Sequence, residues 1–295
     1  VLIAYYTEQT NPRCVVIGRG LTDGAAMFGD KVITVKGPTY LPEADVHVAY
    51  SRTFDPCFNR ATEEGKPWLY WDLPYWGRSR MRIPEASFYR VAMNGYHPTN
   101  YYRFGMPDDR ATIFRVSPAP WARGRGANAP IVLCGLSIKA MTVLGMDVQS
   151  WEHEVIARIR NVSNRPIIYR PKPAWRDAPP IPGTIFSPHT ESLTHVLGQA
   201  WAVVARHSNC AIDATVMGLP AFAQMGPMAP YSQPLEELEQ PRELNIRTRI
   251  GIVSDLAYCQ WCPKDLMRGR FWRHFRERML PWHNATKHYH ESPVW

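Results

Sequence analysis

The sequence predicts an α/β protein built as two Rossmann-like domains facing a cleft, with a C-terminal helix packing back. Three observations predict it. Short apolar runs of buried-strand type recur along the chain, stretches with helical spacing separate them, and a Pro-, Gly- and Ala-rich segment near residue 120 is followed by the same pattern again. At 295 residues, with 45% hydrophobic and 20% charged residues, the chain can bury two cores and has too ordinary a composition for disorder or a fibrous repeat.

Val1 to Tyr6 reads as the first strand. Asn11 can cap the helix that follows and Pro12 suits its first position; Ile17, Leu21 and Phe28 then recur at roughly helical spacing until Gly29-Asp30. Residues 31–35, 45–50 and 67–72 read as three further strands, and their alternation with helical stretches implies a parallel sheet. The N-terminal domain is therefore assigned to residues 1–118 and a linker to 119–130. The second half opens with the strand Ile131-Val132-Leu133-Cys134, then a helix over 151–159, a strand over 166–170, a helix over 192–199, a strand over 201–205 and a helix over 209–217 ended by Gly218 and Pro220. This domain covers 131–255. A C-terminal helix and tail occupy 256–295, where Met267, Phe271, Phe275 and Met279 repeat every fourth residue and five arginines take the remaining surface of a helix over 264–279.

No apolar run approaches the roughly 18 residues that span a bilayer, and the opening run lacks the basic flank of a secretory signal, so the expectation is a cytoplasmic protein without membrane contact. The six cysteines are scattered, unlike a disulfide framework, and Cys259-Gln260-Trp261-Cys262 has no second pair to complete a zinc site. With no Asp-x-Asp placed at a strand end either, no metal and no resident cofactor are expected. Thirty-four Lys and Arg against 26 Asp and Glu give a charge of +8, which favours polyanionic partners without choosing among them.

The chemistry concentrates in residues 205–221. A buried strand runs into Ser208 or Asn209 as helix cap, so free N–H groups and the positive end of the helix face the carboxyl edge of the sheet, where an anionic diphosphate fits. Asp213 lies one turn inside, on about the face of Asn209, placed to accept hydrogen bonds from sugar or ribose hydroxyls. An ordinary capped helix with a solvated acid is the plain alternative. Ser137 and Lys139 follow the first strand of this half, where a turn can bring N–H groups and a cation to phosphate, although the segment is no Walker loop. Arg170 and Lys172, in Tyr169-Arg170-Pro171-Lys172-Pro173, end the next strand with two cations.

The Asn209 to Pro220 segment resembles the donor-binding motif of GT-B glycosyltransferases, H-x-x-x-N-S-x-x-E-x-x-x-x-G-x-P. Asn209, Asp213, Gly218 and Pro220 keep the offsets, Asp replaces Glu, and His207 stands closer to the Asn than in that family. Ser-Asn-x-x-x-Asp-Ala runs also occur in capsule-type transferases and sugar 2-epimerases, and Arg170-Pro171-Lys172-Pro173 resembles the Arg-Pro-His-Pro strand end of the former. Together with the Ala257-Tyr258-Cys259-Gln260-Trp261 tail, these segments resemble bacteriophage glycosyltransferase-like proteins suspected of acting on modified DNA bases.

The resemblance implies a GT-B-like fold and a nucleotide-sugar donor, preferably a UDP-sugar, held by Ser137, Lys139, Arg170, Lys172, His207, Ser208, Asn209 and Asp213. The acceptor side then needs a base at its sheet edge, for which Asp72 and Glu8 are the candidates. Beside Asp72, the aromatic and basic stretch Trp71, Tyr75, Trp76 and Arg78 could hold a base or sugar by stacking. The arginines of 264–279, with Arg78, Arg80, Arg82, Arg123 and Arg125, could follow a phosphate backbone, and the preferred acceptor is a hydroxymethylated pyrimidine in DNA, with host cytoplasm as the setting for a phage protein. The rivals are a capsule or polysaccharide transferase, a sugar 2-epimerase, and a non-catalytic nucleic-acid-binding protein with a degenerate GT-B shell.

Overall fold

The computed structural model describes residues 1–8, 10–79, 81, 83–98, 105–122 and 125–286; Arg80, Arg82, Arg123, His288 and His290 lie outside them. The chain divides into two compact units, one made of Val1–Arg115 with the described residues from Ser254 onward, the other of Val116–Val253. The first unit alternates β1 (Leu2–Thr7), α1 (Pro12–Ala26), β2 (Lys31–Lys36), β3 (Val46–Ala49), α2 (Asp55–Glu63) and β4 (Trp68–Asp72), and continues through β5 (Tyr89–Met93) and α3 (Asp109–Phe114). The second contains β6 (Ile131–Cys134), α4 (Ile138–Leu144), α5 (Ser150–Val162), β7 (Ile167–Arg170), β8 (Ile185–Phe186), α6 (Leu193–Gln199), β9 (Ala202–Ala205), α7 (Cys210–Val216) and β10 (Ala221–Ala223). After α8 (Ile246–Tyr258), in which the division falls, come β11 (Gln260–Trp261), α9 (Pro263–Met267), α10 (Arg270–His274) and α11 (Leu280–Ala285).

In the first unit the strand order is β11-β5-β4-β3-β1-β2. The four sequence-predicted strands pair in parallel, as expected, but β5 pairs antiparallel with β4 and β11 antiparallel with β5, so the sheet is mixed. Asn11 caps α1 by accepting the Arg13 N–H at 3.1 Å, with Pro12 opening the helix. Tyr6, Phe54, Phe58, Trp68 and Tyr70 build an aromatic layer on one face, with Phe58 stacked on Trp68 at 4.4 Å between centroids.

The region expected as one amphipathic helix over 264–279 is broken. Gly269, at φ +66°, separates α9 from α10, and residues 275–279 form a π-helical turn. The change of phase leaves Met267 40% exposed while Phe271, Phe275 and Met279 are fully buried, so three of the four stripe residues are core. This segment packs on α1: a Cβ on Gly24 would meet the Leu266 carbonyl, and Asp30 accepts from Trp272 Nε1 at 2.6 Å and from Arg276 at 2.8 Å.

The second unit has the parallel order β10-β9-β6-β7-β8, which in order of appearance is 5-4-1-2-3, the doubly wound arrangement. Cores lie on both faces, one around Trp151, Ile159, Tyr169 and Phe222, the other around Val132, Leu197, Val203 and Leu219. Of the residues expected as linker, those described are bonded along this unit. Ala119 N–H donates to Val216 and Ala122 N–H to the Gly218 carbonyl, Arg125 donates to the carbonyls of Leu197, Gly198 and Ala200 at the end of α6, and Arg165 reaches those of Gly126 and Ala127. Arg125 was expected to follow phosphates; its guanidinium instead satisfies helix-end carbonyls.

Gly218 has φ +76°, and a Cβ there would run into the Pro120 carbonyl, whereas Gly183, with the same φ, has nothing within 4 Å of such a carbon. Substituting alanine at Gly183 should therefore cost about 1 kcal/mol of left-handed strain, and Gly218→Ala distinctly more, because backbone must also move. Thermal unfolding of the two variants checks this; equal losses would show that the close approach carries no weight.

Candidate functional site

Because every strand of the second unit runs in the same direction, the residues that follow β6, β7, β9 and β10 all stand on one edge of the sheet. Strand order reverses between β6 and β9, the place where an open α/β sheet leaves a crevice for a ligand. The residues bordering it are Gly135, Leu136 and Ser137 after β6 and Arg206, His207, Ser208 and Asn209 after β9. Lys172, beyond β7, reaches across: its Nζ lies 3.0 Å from Ser208 Oγ, although β6 separates the strands that carry them.

Local bonding fixes each of these groups. Ser137 Oγ caps α4 by accepting the Ala140 N–H at 3.2 Å, while Lys139 on the first turn is exposed. Ser208 Oγ accepts the Cys210 N–H at 3.3 Å, so the serine, not Asn209, supplies the side-chain cap of α7; Asn209 is exposed. His207 is half-buried and has interaction partners of its own. Arg170 departs from expectation. Only 7% exposed, it donates to Ser187 Oγ at 2.8 Å and to the Glu191 carbonyl at 2.8 Å, holding the segment after β8 in place. Of the two strand-end cations, Lys172 is the one placed beside Ser208.

Asp213 is half-buried, and no hydrogen bond to its carboxylate comes from the described residues. Burial, reinforced by the nearby Cys210, pushes its pKa from 3.8 to about 7. At neutral pH this side chain can both donate and accept, which suits sugar hydroxyls. The thiol of Cys210 is held below its ordinary range by hydrogen bonding with Cys134, against burial, and also by Ser208 and the charges of Lys172 and Arg170; Cys134 is pushed up by the same pairing and by burial.

Three groups here escaped sequence reasoning. Glu152 is fully buried with its Oε1 accepting the Leu136 N–H at 2.7 Å, and burial raises its pKa; its Oε2 has no partner among the described residues. It props the β6–α4 turn, yet on sequence it is one more helical glutamate. Arg206 is half-buried, its Nε has no hydrogen-bond partner among the described residues, and its Nη1 meets only the Met146 sulfur, at 3.6 Å. A second cation with unused donors therefore stands at the end of β9. The Cys134–Cys210 pair joins residues 76 positions apart, and only strand order could reveal it.

In the first unit, Asp72 ends β4 and Glu8 follows β1, both half-buried. The Asp72 carboxylate accepts from Arg90 at 2.5 Å and from the Leu73 N–H at 2.7 Å. Arg90 also lies 2.7 Å from His97 Nδ1 and 3.3 Å from Tyr75 Oη. A guanidinium can only donate, so Nδ1 accepts and a neutral His97 carries its proton on Nε2. The aromatic stretch splits. Trp71 is fully buried with its ring edge-on to Phe271 at 4.8 Å, so it belongs to the core and cannot stack on an acceptor. Tyr75 and Trp76 are half-buried, their N–H groups both donating to Gln260 Oε1 at 2.7 and 2.9 Å, and Arg78 is exposed.

Among solved structures the chain is similar to Thermosulfurimonas dismutans KpsC, a beta Kdo 2,4 transferase, at 12% identity over 86% of this chain and 89% of that one, with a TM-score of 0.52. The fold is of the GT-B kind. The beta Kdo 2,7 transferase of the same KpsC follows at 12% identity, 87% and 90% coverage and a TM-score of 0.49, and a Methanocaldococcus jannaschii UDP-GlcNAc 2-epimerase at 8%, 95% and 99%, and 0.29; likenesses at these scores carry no argument. No family model and no curated protein matches the sequence. Among the described residues, no group of three or more His, Cys, Asp and Glu side chains is arranged to hold a metal ion, and no helix is long and apolar enough to cross a membrane.

The Asp213 shift has a measurable sign. Its folded pKa lies above the unfolded one, so between about pH 4 and pH 7 the native state holds a proton that the unfolded state has released, and stability falls as pH rises through that window. Asp213→Asn should remove this slope, with the variant gaining on wild type between pH 4 and pH 8 in urea titrations. Parallel pH profiles for the two proteins would mean that Asp213 titrates normally.

Proposed function

We propose that the chain is a glycosyltransferase that holds a nucleotide-activated sugar at the crossover between β6 and β9 and transfers the sugar to an acceptor hydroxyl. The observation that carries this reading is the bridge from Lys172 to Ser208 across the end of β6. It concentrates a cation, a hydroxyl and the exposed Asn209 at the strand-order reversal of a GT-B-type sheet, with Asp213 one turn on. In this reading Lys172 and Arg206 neutralise the donor phosphates, Ser137 and Ser208 border them, and Asp213 contacts sugar or ribose hydroxyls.

Asp72 takes the acceptor proton, with Glu8 as the other candidate. The ion pair with Arg90 orients Asp72, and one lone-pair direction on each oxygen is left for an acceptor hydroxyl. For the acceptor, a hydroxymethylated pyrimidine in DNA is the preferred reading and the +8 charge is compatible with any polyanion, while the Kdo transferase named among the similar structures favours a glycan hydroxyl.

Thermal shifts with UDP-, GDP- and CMP-sugars test the donor, since a ligand that binds the native state raises its unfolding midpoint by mass action. One donor should stabilise the protein, and Lys172→Ala should weaken that donor on the order of tenfold, the worth of one charged hydrogen bond. No response to any nucleotide sugar would sink the reading. Asp72→Asn should keep the nucleotide-induced shift and lose turnover by 100-fold or more, within the usual weight of a general base, about 10²–10⁴; wild-type rates would pass the role to Glu8. Mass spectrometry of hydroxymethylcytosine DNA, hydroxymethyluracil DNA and a Kdo-terminated oligosaccharide, each incubated with the stabilising donor, then decides the acceptor by which one gains the mass of a sugar.

A further inference from the structure

The first unit contains a cavity of about 610 Å³, well away in sequence from the donor residues, between the start of α3 and the segment that runs from α8 to the π-helical turn. Five arginines line it, Arg110, Arg268, Arg270, Arg273 and Arg278, against the carboxylates of Asp109 and Glu277. Two of the five are structural. Arg110 lies over the Trp261 ring at 3.8 Å, donates to the Gln260 carbonyl at 2.5 Å and pairs with Asp265 at 3.3 Å; Arg270 pairs with the same carboxylate at 3.3 Å. Arg268, Arg273 and Arg278 are exposed and have no carboxylate partner among the described residues. Asp109 is engaged by Tyr258 Oη at 2.8 Å.

His274 lines the cavity at 8% exposure, and its buried Nε2 has no hydrogen-bond partner among the described residues. Its ring lies 5.4 Å from both Tyr258 and Trp261, which fix its orientation. Burial, together with Arg110 and Arg278, lowers its pKa to about 4, so the imidazole stays neutral. Like charges gathered around one opening repel each other, and the repulsion is relieved by an anion of more than one charge. Guanidinium groups spread around an open basin suit successive phosphates rather than a single carboxylate.

We propose that this basin is a binding site for linked phosphate groups, either a free polyphosphate chain or the backbone of a nucleic-acid strand, with Arg268, Arg273 and Arg278 neutralising the phosphates. All of its residues belong to the first unit, so the site stands whether or not the second unit holds a nucleotide sugar.

The test uses the whole chain. Isothermal titration with inorganic tripolyphosphate and fluorescence anisotropy with a labelled oligonucleotide are run on wild type, on Arg273→Glu with Arg278→Glu, and on Lys31→Glu with Arg247→Glu, which makes the same charge change at exposed sites elsewhere. Retention of the wild-type thermal midpoint certifies each variant as folded. The basin pair should lose at least tenfold in affinity for both probes, the control pair less than threefold, and the salt dependence for the oligonucleotide should shallow by about 2 in log–log slope. An oligonucleotide bound more tightly than tripolyphosphate at equal phosphate marks a strand as the ligand, and the reverse order marks a free chain. Equal losses in the basin and control pairs, no binding by wild type, or tighter binding of heparin than of either phosphate probe would overturn the site.

Discussion

Parallel pairing of β6, β7 and β9 is the constraint on which the second unit's chemistry depends. With all three strands running one way, their carboxyl ends share an edge, and reversal of strand order at β6 opens that edge between β6 and β9. Short turns then leave little choice of what stands there: Ser137 after β6, Lys172 after β7, Ser208 after β9. The reach of Lys172 over β6 to Ser208 matters more than helix ends, since α4 and α7 each have only seven residues. In the first unit the same logic places Glu8 and Asp72 on one edge, but β5 runs the other way. Arg90 enters from the antiparallel β5, in register opposite Asp72.

Much of the fold was legible because its signals are local. Ile131–Cys134 is a four-residue apolar run between Pro130 and Gly135, and Asn11-Pro12 is a helix start by backbone chemistry alone. What escaped depends on distant partners. β11 has only two residues, and it is a strand because Gln260 and Trp261 pair with Arg90 and Tyr89. The period-four stripe from Met267 to Met279 has the right residues for one helix, yet Gly269 and the π-helical turn change its phase so that the chain follows α1.

The candidate site was legible in its outline and not in its assignments. Sequence offsets bring Ser208, Asn209 and Asp213 together because they share one strand-to-helix turn. Whether a cation is free or spent cannot be seen in a sequence: Arg170 and Lys172 stand two residues apart, and one is buried under Ser187 and Glu191 while the other reaches Ser208. Trp71 looked like its neighbours Tyr75 and Trp76, but strand alternation turns it inward onto Phe271. Asp213 and Glu152 show the converse, polar residues whose surroundings withhold water and raise their pKa.

The bonds made by Ala119, Ala122 and Arg125 bear on how the second unit can be cut out of the chain. A fragment beginning at the first residue of β6 would contain every strand of its sheet and still be incomplete. The carbonyls at the end of α6 would lose the guanidinium that satisfies them, and the groove at Gly218 would lose the backbone seated in it. Composition marks this stretch as slack, but its hydrogen bonds make it part of the cooperative unit. The second unit, which begins at Val116, is thus bonded to residues that precede the start of its sheet.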